Sequence, residues 1–388
     1  MKQLLGKLSE SSSFRFVLTI GIVDLFGDMT YSGGAGMNGL FLGSLGASAA
    51  VISAAGGLSE FLNYLTRGIS GYLADRIERH WLLVFVGYIF NLLAVPAIAL
   101  AGHWQVAAGL IVIQGIGRGT RKPIIQAMLS HTTEEHGKGW VYGVHTSLDH
   151  AGRAIGPLII AGILFLSDDF RSGYAFLLLP ALLALAALTV ARTRYPVPAR
   201  FEQEPVATAK GFTRAYWLYL VSGAFFAAGL MNFELIGFHL AESEVSREIV
   251  PLYLVLATSV GAVASPGLGR LYDRIGLPVI LGAVLLSALF SPFVFLLPLA
   301  FALVGMVLWG IGQVTQDMLL SSVVAGVLPQ DRRSMAFGLF YAGYGLGWAL
   351  GAVAAGLLYE QSQAALVAYA VGVQLASLPL FVLARRSS

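Results

Sequence analysis

Four acids and seven bases in the first half of this chain lie in apolar stretches where charge is costly. Asp24 and Asp28 are four residues apart, so on a helix both point to one face. Two carboxylates that close in a low dielectric do not both ionise cheaply, and one of them can hold a proton. The run from Gly115 to Gly162 adds Arg118, Arg121 and Lys122, then His145, Asp149, His150 and Arg153. His145, Asp149 and Arg153 recur every four residues and share a face; His150 is turned about 100° from Asp149. Glu60, Tyr64 and Arg67 follow helical spacing further upstream. The bland alternatives are salt bridges between helices for the acids, packing or hydrogen bonding for the histidines, and an interfacial or structural role for Arg67. The sharper reading is a proton-holding acid group, Asp24, Asp28, Glu60 and Asp149, beside an anion-binding group, Arg118, Arg121, Lys122, His145, His150 and Arg153. Histidine titrates near neutral pH and could join either.

The elements that must position these residues are membrane helices. The chain has 388 residues, 57% hydrophobic and 12% charged, against about 25% charged in a soluble domain. Its mean hydropathy is +0.76. Spans of roughly 20 apolar residues are expected over 14–44, 47–73, 80–101, 105–130, 139–166 and 172–192, then 213–240, 249–272, 277–299, 300–328, 333–360 and 364–385. The expected fold is an all-α membrane protein of twelve transmembrane helices in two pseudo-symmetric six-helix bundles. The bundles cover 1–192 and 213–388, and the polar, proline-bearing stretch 193–212 links them. Absence of cysteine removes disulfides and thiolate metal sites. No cleavable signal pattern precedes the first span.

Basic residues fall on one side. Lys2, Lys7, Arg15, Arg76, Arg79, Lys138, the linker bases, Arg270, Arg274, Arg332, Arg333, Arg385 and Arg386 collect there, and only Arg171 and Arg247 lie opposite. The positive-inside rule then places both termini in the cytoplasm, and an even number of spans agrees. The halves repeat: GYLADRIERH at 71–80 matches GRLYDRIGLP at 269–278, offset 198, and GIGRGTRK at 115–122 matches GIGQVTQD at 310–317, offset 195. Gly143, Gly152 and Gly156 match Gly338, Gly347 and Gly351 at that second offset. A duplicated six-helix unit implies a substrate site between halves and alternating access by their rocking.

At these residues the chain resembles a twelve-helix transporter of the major facilitator superfamily, over essentially its whole length. Gly71-Tyr72-Leu73-Ala74-Asp75-Arg76 resembles the family's loop signature between helices 2 and 3, with Glu78 where glycine is usual. Gly143-x8-Gly152-x3-Gly156-Pro157 resembles the helix 5 signature of drug–proton antiporters, with Ile160-Ala161 in place of its closing glycines. Gln114-Gly115-Ile116-Gly117 resembles the helix 4 pattern, with Ile111 where an arginine is expected and Arg118 two turns on. Asp24, Asp28-Met29-x-Tyr31, Glu60, Arg67, Arg121 and His145-x3-Asp149-x2-Gly152 together resemble a bacterial efflux-like branch. The resemblance implies gating at Gly71, Asp75 and Arg76, at their repeat mate Asp273, and at Gly152, Gly156 and Pro157. It also implies contact between Asp75 and the end of helix 11, and proton-coupled export of a small organic solute or drug.

Within this reading Asp149 is expected to pair with Arg121 or Lys122, which an antiparallel helix pair puts at the depth of His145 and Asp149. Arg118 is expected nearer Arg153. Asp24, Asp28 and Glu60 should supply the remaining counter-charge. The second half offers Asn232, Glu234, Tyr341 and Tyr344 as substrate contacts, with Asp317 and His239 as further polar residues. Expected partners are a small-molecule substrate, protons and the lipid bilayer of a bacterial cytoplasmic membrane. No nucleic acid, cofactor or metal is expected, and the expected state is a monomer. GIGRGT lies inside an apolar span, so it is no phosphate cradle and ATP is not the driver. The rival transport readings are uptake or export of an anionic metabolite, or movement of a metal ion. An enzyme built on His145 and Asp149 lacks a nucleophile or metal beside them. A receptor without transport would not need the buried charges.

Overall fold

The computed structural model describes residues 12–76, 80–130, 138–195, 213–318 and 333–387. The described residues form helices joined by short turns, with no strand among them. The first half comprises α1 Ser12–Ser44, α2 Ala49–Arg76, α3 His80–Ala97, α4 Trp104–Ser130, α5 Lys138–Ser167, and α6 in two pieces, Phe170–Phe176 and Leu178–Arg194. The second comprises α7 in two pieces, Arg214–Leu230 and Phe233–Glu242, α8 Val250–Ile275, α9 in two pieces, Leu277–Ala288 and Phe290–Phe295, α10 Ala302–Met318, α11 Arg333–Gln361 and α12 Gln363–Arg386. These are the twelve transmembrane helices in two bundles that the hydropathy pattern predicts. Residues 196–212, inside the expected linker, lie outside the described residues, as do 319–332 between α10 and α11.

Nine of the described helices are long and apolar enough to cross a membrane. The three that miss, α1, α2 and α4, have the length but not the apolarity; they carry Asp24, Asp28, Glu60, Arg67, Arg118, Arg121 and Lys122. Helices rich in charge must face protein rather than lipid, because hydrocarbon solvates neither ions nor unpaired backbone groups. Large apolar side chains such as Leu100, Phe165, Leu166 and Val263 are instead more than 70% exposed on outward surfaces.

The internal repeat is visible in the packing. An added Cβ on Gly115 would meet the Ser59 carbonyl, and one on Gly310 would meet the Ala257 carbonyl. Those pairs are related by the offsets 195 and 198 read from two separate motifs. Likewise Gly152 and Gly156 bring α5 onto the Leu25 and Met29 carbonyls of α1, and Gly347 and Gly351 bring α11 onto the Ala224 and Ala228 carbonyls of α7. Small residues permit this backbone approach, which lets helices associate without a hydrophobic drive.

Two features differ from a plain set of rods. The uninterrupted helix expected over 213–240 breaks: Met231 takes φ 59°, and Asn232 caps a new helix, its Oδ1 accepting from Leu235 N at 3.4 Å. The carbonyls freed by the break are satisfied from the side. Gln374 Nε2 donates to Gly229 O at 2.8 Å, and Trp309 Nε1 to Leu230 O at 3.1 Å. The bundles also close on one another at the face away from the termini. There Asn232 Nδ2 donates to Ser53 O at 2.9 Å, Ser53 Oγ donates to Ala352 O at 2.6 Å, and Ala50 N donates to Glu360 Oε1 at 2.9 Å. From Ala262 to Ile275, towards the termini face, α8 has no buried residue.

Candidate functional site

The site is built on the docking of α5 against α1. The Gly152 and Gly156 contacts place the charged face of α5 opposite Asp24 and Asp28. Pro157 then helps to fix it. Proline has no N–H, so the Arg153 carbonyl loses its helical donor; Ser32 Oγ of α1 donates to that carbonyl at 2.8 Å. The same device recurs on α4, where Pro123 frees the Gly119 carbonyl and Ser70 Oγ of α2 donates to it at 3.2 Å. Each proline thereby cross-links its helix to a neighbour at a network cation, at Arg153 itself and beside Arg118.

The side chains form one continuous network. Asp24 accepts from Arg121 Nη1, from the Tyr88 hydroxyl at 2.7 Å, and lies 2.7 Å from His145 Nε2. Arg121 Nη1 also donates to the Tyr88 oxygen at 3.0 Å, and its guanidinium lies over the Tyr88 ring at 4.4 Å. Asp28 joins two arginines: Arg121 Nη2 at 3.2 Å and Arg153 Nε at 3.1 Å. Arg153 Nη2 continues to Asp149 at 2.7 Å. The side chains of Arg121, Asp24 and Asp28 are 2%, 5% and 3% exposed, while Arg153 and His145 are 27% and 16% exposed. The network therefore has a sealed core and an accessible edge.

A second group sits nearer the closed face. Glu60 pairs with Arg118, accepts from Asn63 Nδ2 at 3.0 Å and from the Tyr31 hydroxyl at 3.4 Å. The Arg118 guanidinium lies 4.3 Å over the Tyr31 ring. Such charge-assisted bonds and ring faces are what allow ions at membrane depth.

Several expected pairings are corrected. Asp149 bonds Arg153, one turn along its own helix, and not Arg121 or Lys122. Arg118 pairs with Glu60 and lies over the Tyr31 ring, on which Arg153 also acts. Arg121 is turned the other way by the Tyr88 and Asp24 oxygens. The depth expectation holds, because His145 and Arg121 share Asp24. Arg67 donates from Nε to Asn63 Oδ1 at 3.4 Å and lies over the rings of Tyr64 and Tyr341. Lys122 has no ion pair among the described residues, although Asp149, Arg153, Arg67 and Asp28 are the charges that act on it most. His150 is half-buried on α5.

In the second half, Asn232 is occupied by its cap and its bond to Ser53. Glu234 faces Asn38 Nδ2 at 3.5 Å, and Asn38 Oδ1 accepts from Tyr174 at 2.8 Å. Tyr344 is fully buried against Tyr64 and Trp348, while half-buried Tyr341 stacks on Tyr64 with centroids 6.0 Å apart. Asp273 is exposed near the end of α8. An added Cβ on Gly71 would meet nothing within 4 Å among the described residues, and the side chains of Asp75, Arg76 and Asp317 lie outside them. Gly152 and Gly156 pack on α1 inside the first bundle, whereas Pro157 and Pro251 of α8 both flank Gly36 at the seam between the bundles. Tyr88, Ser32, Ser70 and Gln316, whose Nε2 donates to the Tyr64 hydroxyl, were not singled out from the sequence. The prolines inside apolar spans were the available signal for the two serines.

Comparison with known proteins gives this architecture a family. The family model described as Major Facilitator Superfamily matches residues 18–325. An uncharacterised protein of Mycobacterium tuberculosis is 32% identical over 376 residues, 95% of this chain and 92% of the relative. An uncharacterised MFS-type transporter of Methanocaldococcus jannaschii is 24% identical over 358 residues, 89% of each chain. Among solved structures, the nucleoside transporter NupG superposes with TM-score 0.75 at 13% identity, covering 94% of this chain and 100% of that one. A peptide transporter, POT, in complex with sulfate gives 0.77 at 14%, covering 96% and 94%. Such low identities speak for the fold alone. The chain belongs to the major facilitator superfamily and is a membrane transporter, not an enzyme.

Proposed function

We propose that this transporter exports a small organic solute in exchange for protons, by alternating access, across a bacterial cytoplasmic membrane. The observation that carries the reading is the network at Asp24, in which one carboxylate is shared by Arg121, Tyr88 and the partly accessible His145. A proton delivered at His145 or its carboxylate partner changes the number of charges that Arg121 and Arg153 must balance. Charges at membrane depth tolerate no imbalance of that kind without rearrangement, since an unpaired one costs several kcal/mol. Asp24, Asp28, Glu60 and Asp149 are the proposed proton-coupling acids, and Arg118, Arg121, Lys122, His145, His150, Arg153, Asn232, Glu234, Tyr341 and Tyr344 the proposed substrate surroundings. Gly71, Asp75, Arg76, Gly152, Gly156, Pro157 and Asp273 are the proposed gating positions.

In this account the bundles 1–192 and 213–388 rock about the 193–212 linker as a monomer, with both termini cytoplasmic. The distal bonds Asn232–Ser53 and Ser53–Ala352 must break when the outer face opens. Export is the direction carried by the antiporter signatures. The test is flux of a panel of organic solutes in proteoliposomes under an imposed pH gradient. Gradient-driven flux that survives in Asp24→Asn, Asp28→Asn and the double variant would remove proton coupling from the account.

A further inference from the structure

Three of the membrane-depth arginines, Arg118, Arg121 and Arg153, are each tied to a carboxylate. Two other cations have no such partner among the described residues. Arg67 on α2 bonds only the Asn63 amide oxygen through Nε, and its terminal nitrogens have no acid among the described residues. Lys122 on α4 has no ion pair there either. Both are half-buried, so their donors are neither sealed in packing nor left in bulk water.

They are also neighbours. α2 and α4 run in the same direction, and Thr66 Oγ1 donates to Ile116 O at 3.3 Å while Ser70 Oγ donates to Gly119 O at 3.2 Å. The turn bearing Arg67 therefore lies beside the turn bearing Lys122, and Arg67 is among the charges that act on Lys122 most strongly. Two like charges on facing turns in a low dielectric repel, and an anion between them relieves that repulsion. Asp149 and Asp28 act on Lys122, and Glu60 feels Arg67, but the first two are engaged by Arg153 and the third by Arg118. Glu234 lies in the field of Glu60 and Arg118 instead.

The rings add the rest of the site. The Arg67 guanidinium lies 5.0 Å from the Tyr64 ring centroid and 5.9 Å from that of Tyr341. Tyr64 belongs to the first bundle and Tyr341 to the second, so the cation sits at the seam that must open and close. Cation–π contact orients the guanidinium but leaves its outward N–H donors for a ligand. Arg67, Arg118, Arg121, Lys122 and Arg153 outnumber Asp24, Asp28, Glu60 and Asp149 by a single charge.

We propose that Lys122 and Arg67 form the receptor for the carboxylate of a small organic monoanion, bound at the seam with its apolar part towards Tyr64 and Tyr341. This identifies the substrate class of the transporter described above and rests on that reading. It is separable from proton coupling, because binding can persist where gradient-driven flux fails.

The test is ligand-dependent thermal stabilisation of the purified full chain with benzoate and hexanoate, and with benzamide as the neutral counterpart of benzoate. A ligand that binds only the native state must raise its apparent stability. Benzoate or hexanoate should stabilise the wild type and benzamide should not. Lys122→Gln and Arg67→Gln should each weaken binding at least about tenfold, as expected for loss of a charge-assisted bond. Lys122→Arg, which keeps the charge, should retain most of it, and separates a lost ligand contact from a lost fold. Equal stabilisation by benzamide, no stabilisation by either carboxylate at millimolar concentration, or wild-type affinity in both Gln variants would overturn the proposal.

Discussion

His145 and Asp24 meet across 121 residues of chain, with Nε2 2.7 Å from Oδ2. That contact, with Arg121 and Tyr88 on the other oxygen, makes Asp24 the point where α1, α3, α4 and α5 are joined. Removing either charge of the Arg121–Asp24 pair leaves the other buried without its main partner. Asp24→Asn and Arg121→Gln should each destabilise by about 3–5 kcal/mol. The double variant should recover about 0.5–3 kcal/mol of the sum. Thermal unfolding in detergent of the four proteins measures the cycle, and strict additivity would show that the pair is not coupled.

Ser32 and Ser70 should matter because of prolines on other helices. Ser32→Ala leaves the Arg153 carbonyl without a donor, and Ser70→Ala does the same to Gly119. Each should cost about 1–3 kcal/mol, the penalty for an unsatisfied buried group. Replacing Pro157 with Ala in the Ser32→Ala background restores the helical donor and should recover much of the loss. Equal stability of Ser32→Ala and wild type would contradict this account of the helix 5 contact.

Glycines of similar sequence standing should behave differently. Gly156→Val would drive a side chain into the Met29 carbonyl and should sharply reduce the yield of folded protein. Gly71→Ala meets no described residue within 4 Å and should stay within about 0.5 kcal/mol of wild type. Expression level and melting temperature of the two variants decide the matter. If Gly71→Ala abolishes flux at unchanged stability, its role is in motion rather than in packing.

Orientation is testable by labelling. A cysteine at Ser387 should react with an impermeant thiol reagent only from the cytoplasmic side, and one at Ser246, in the turn between α7 and α8, only from outside. The chain has no native cysteine to interfere. Labelling of Ser387→Cys from outside intact cells would reverse the assignment.

What was legible in the sequence was periodic. Apolar runs place the helices, the offsets 195 and 198 predict the paired contacts Gly115–Ser59 and Gly310–Ala257, and four-residue spacing marks the charged face of α5. Partners across helices were not legible. Spacing along α5 says that His145 and Asp149 share a face, but only the docking of α1 decides that His145 takes Asp24 while Asp149 keeps Arg153. The break at Met231 was masked because 213–240 is hydrophobic enough on average for one span, although Asn232 and Glu234, a cap residue and a first-turn acid, stand at the break. The donors that satisfy the freed carbonyls, Trp309 and Gln374, come from helices far along the chain.

Proton uptake by the network is most directly read by infrared difference spectroscopy of the reconstituted protein between alkaline and mildly acidic pH. The account predicts a protonated-carboxyl stretch that appears on acidification and is lost or shifted in Asp24→Asn or Asp28→Asn, while Asp273→Asn, at an exposed end of α8, leaves it intact. A band unchanged in Asp24→Asn, Asp28→Asn, Asp149→Asn and Glu60→Gln would contradict the claim that these acids carry the proton.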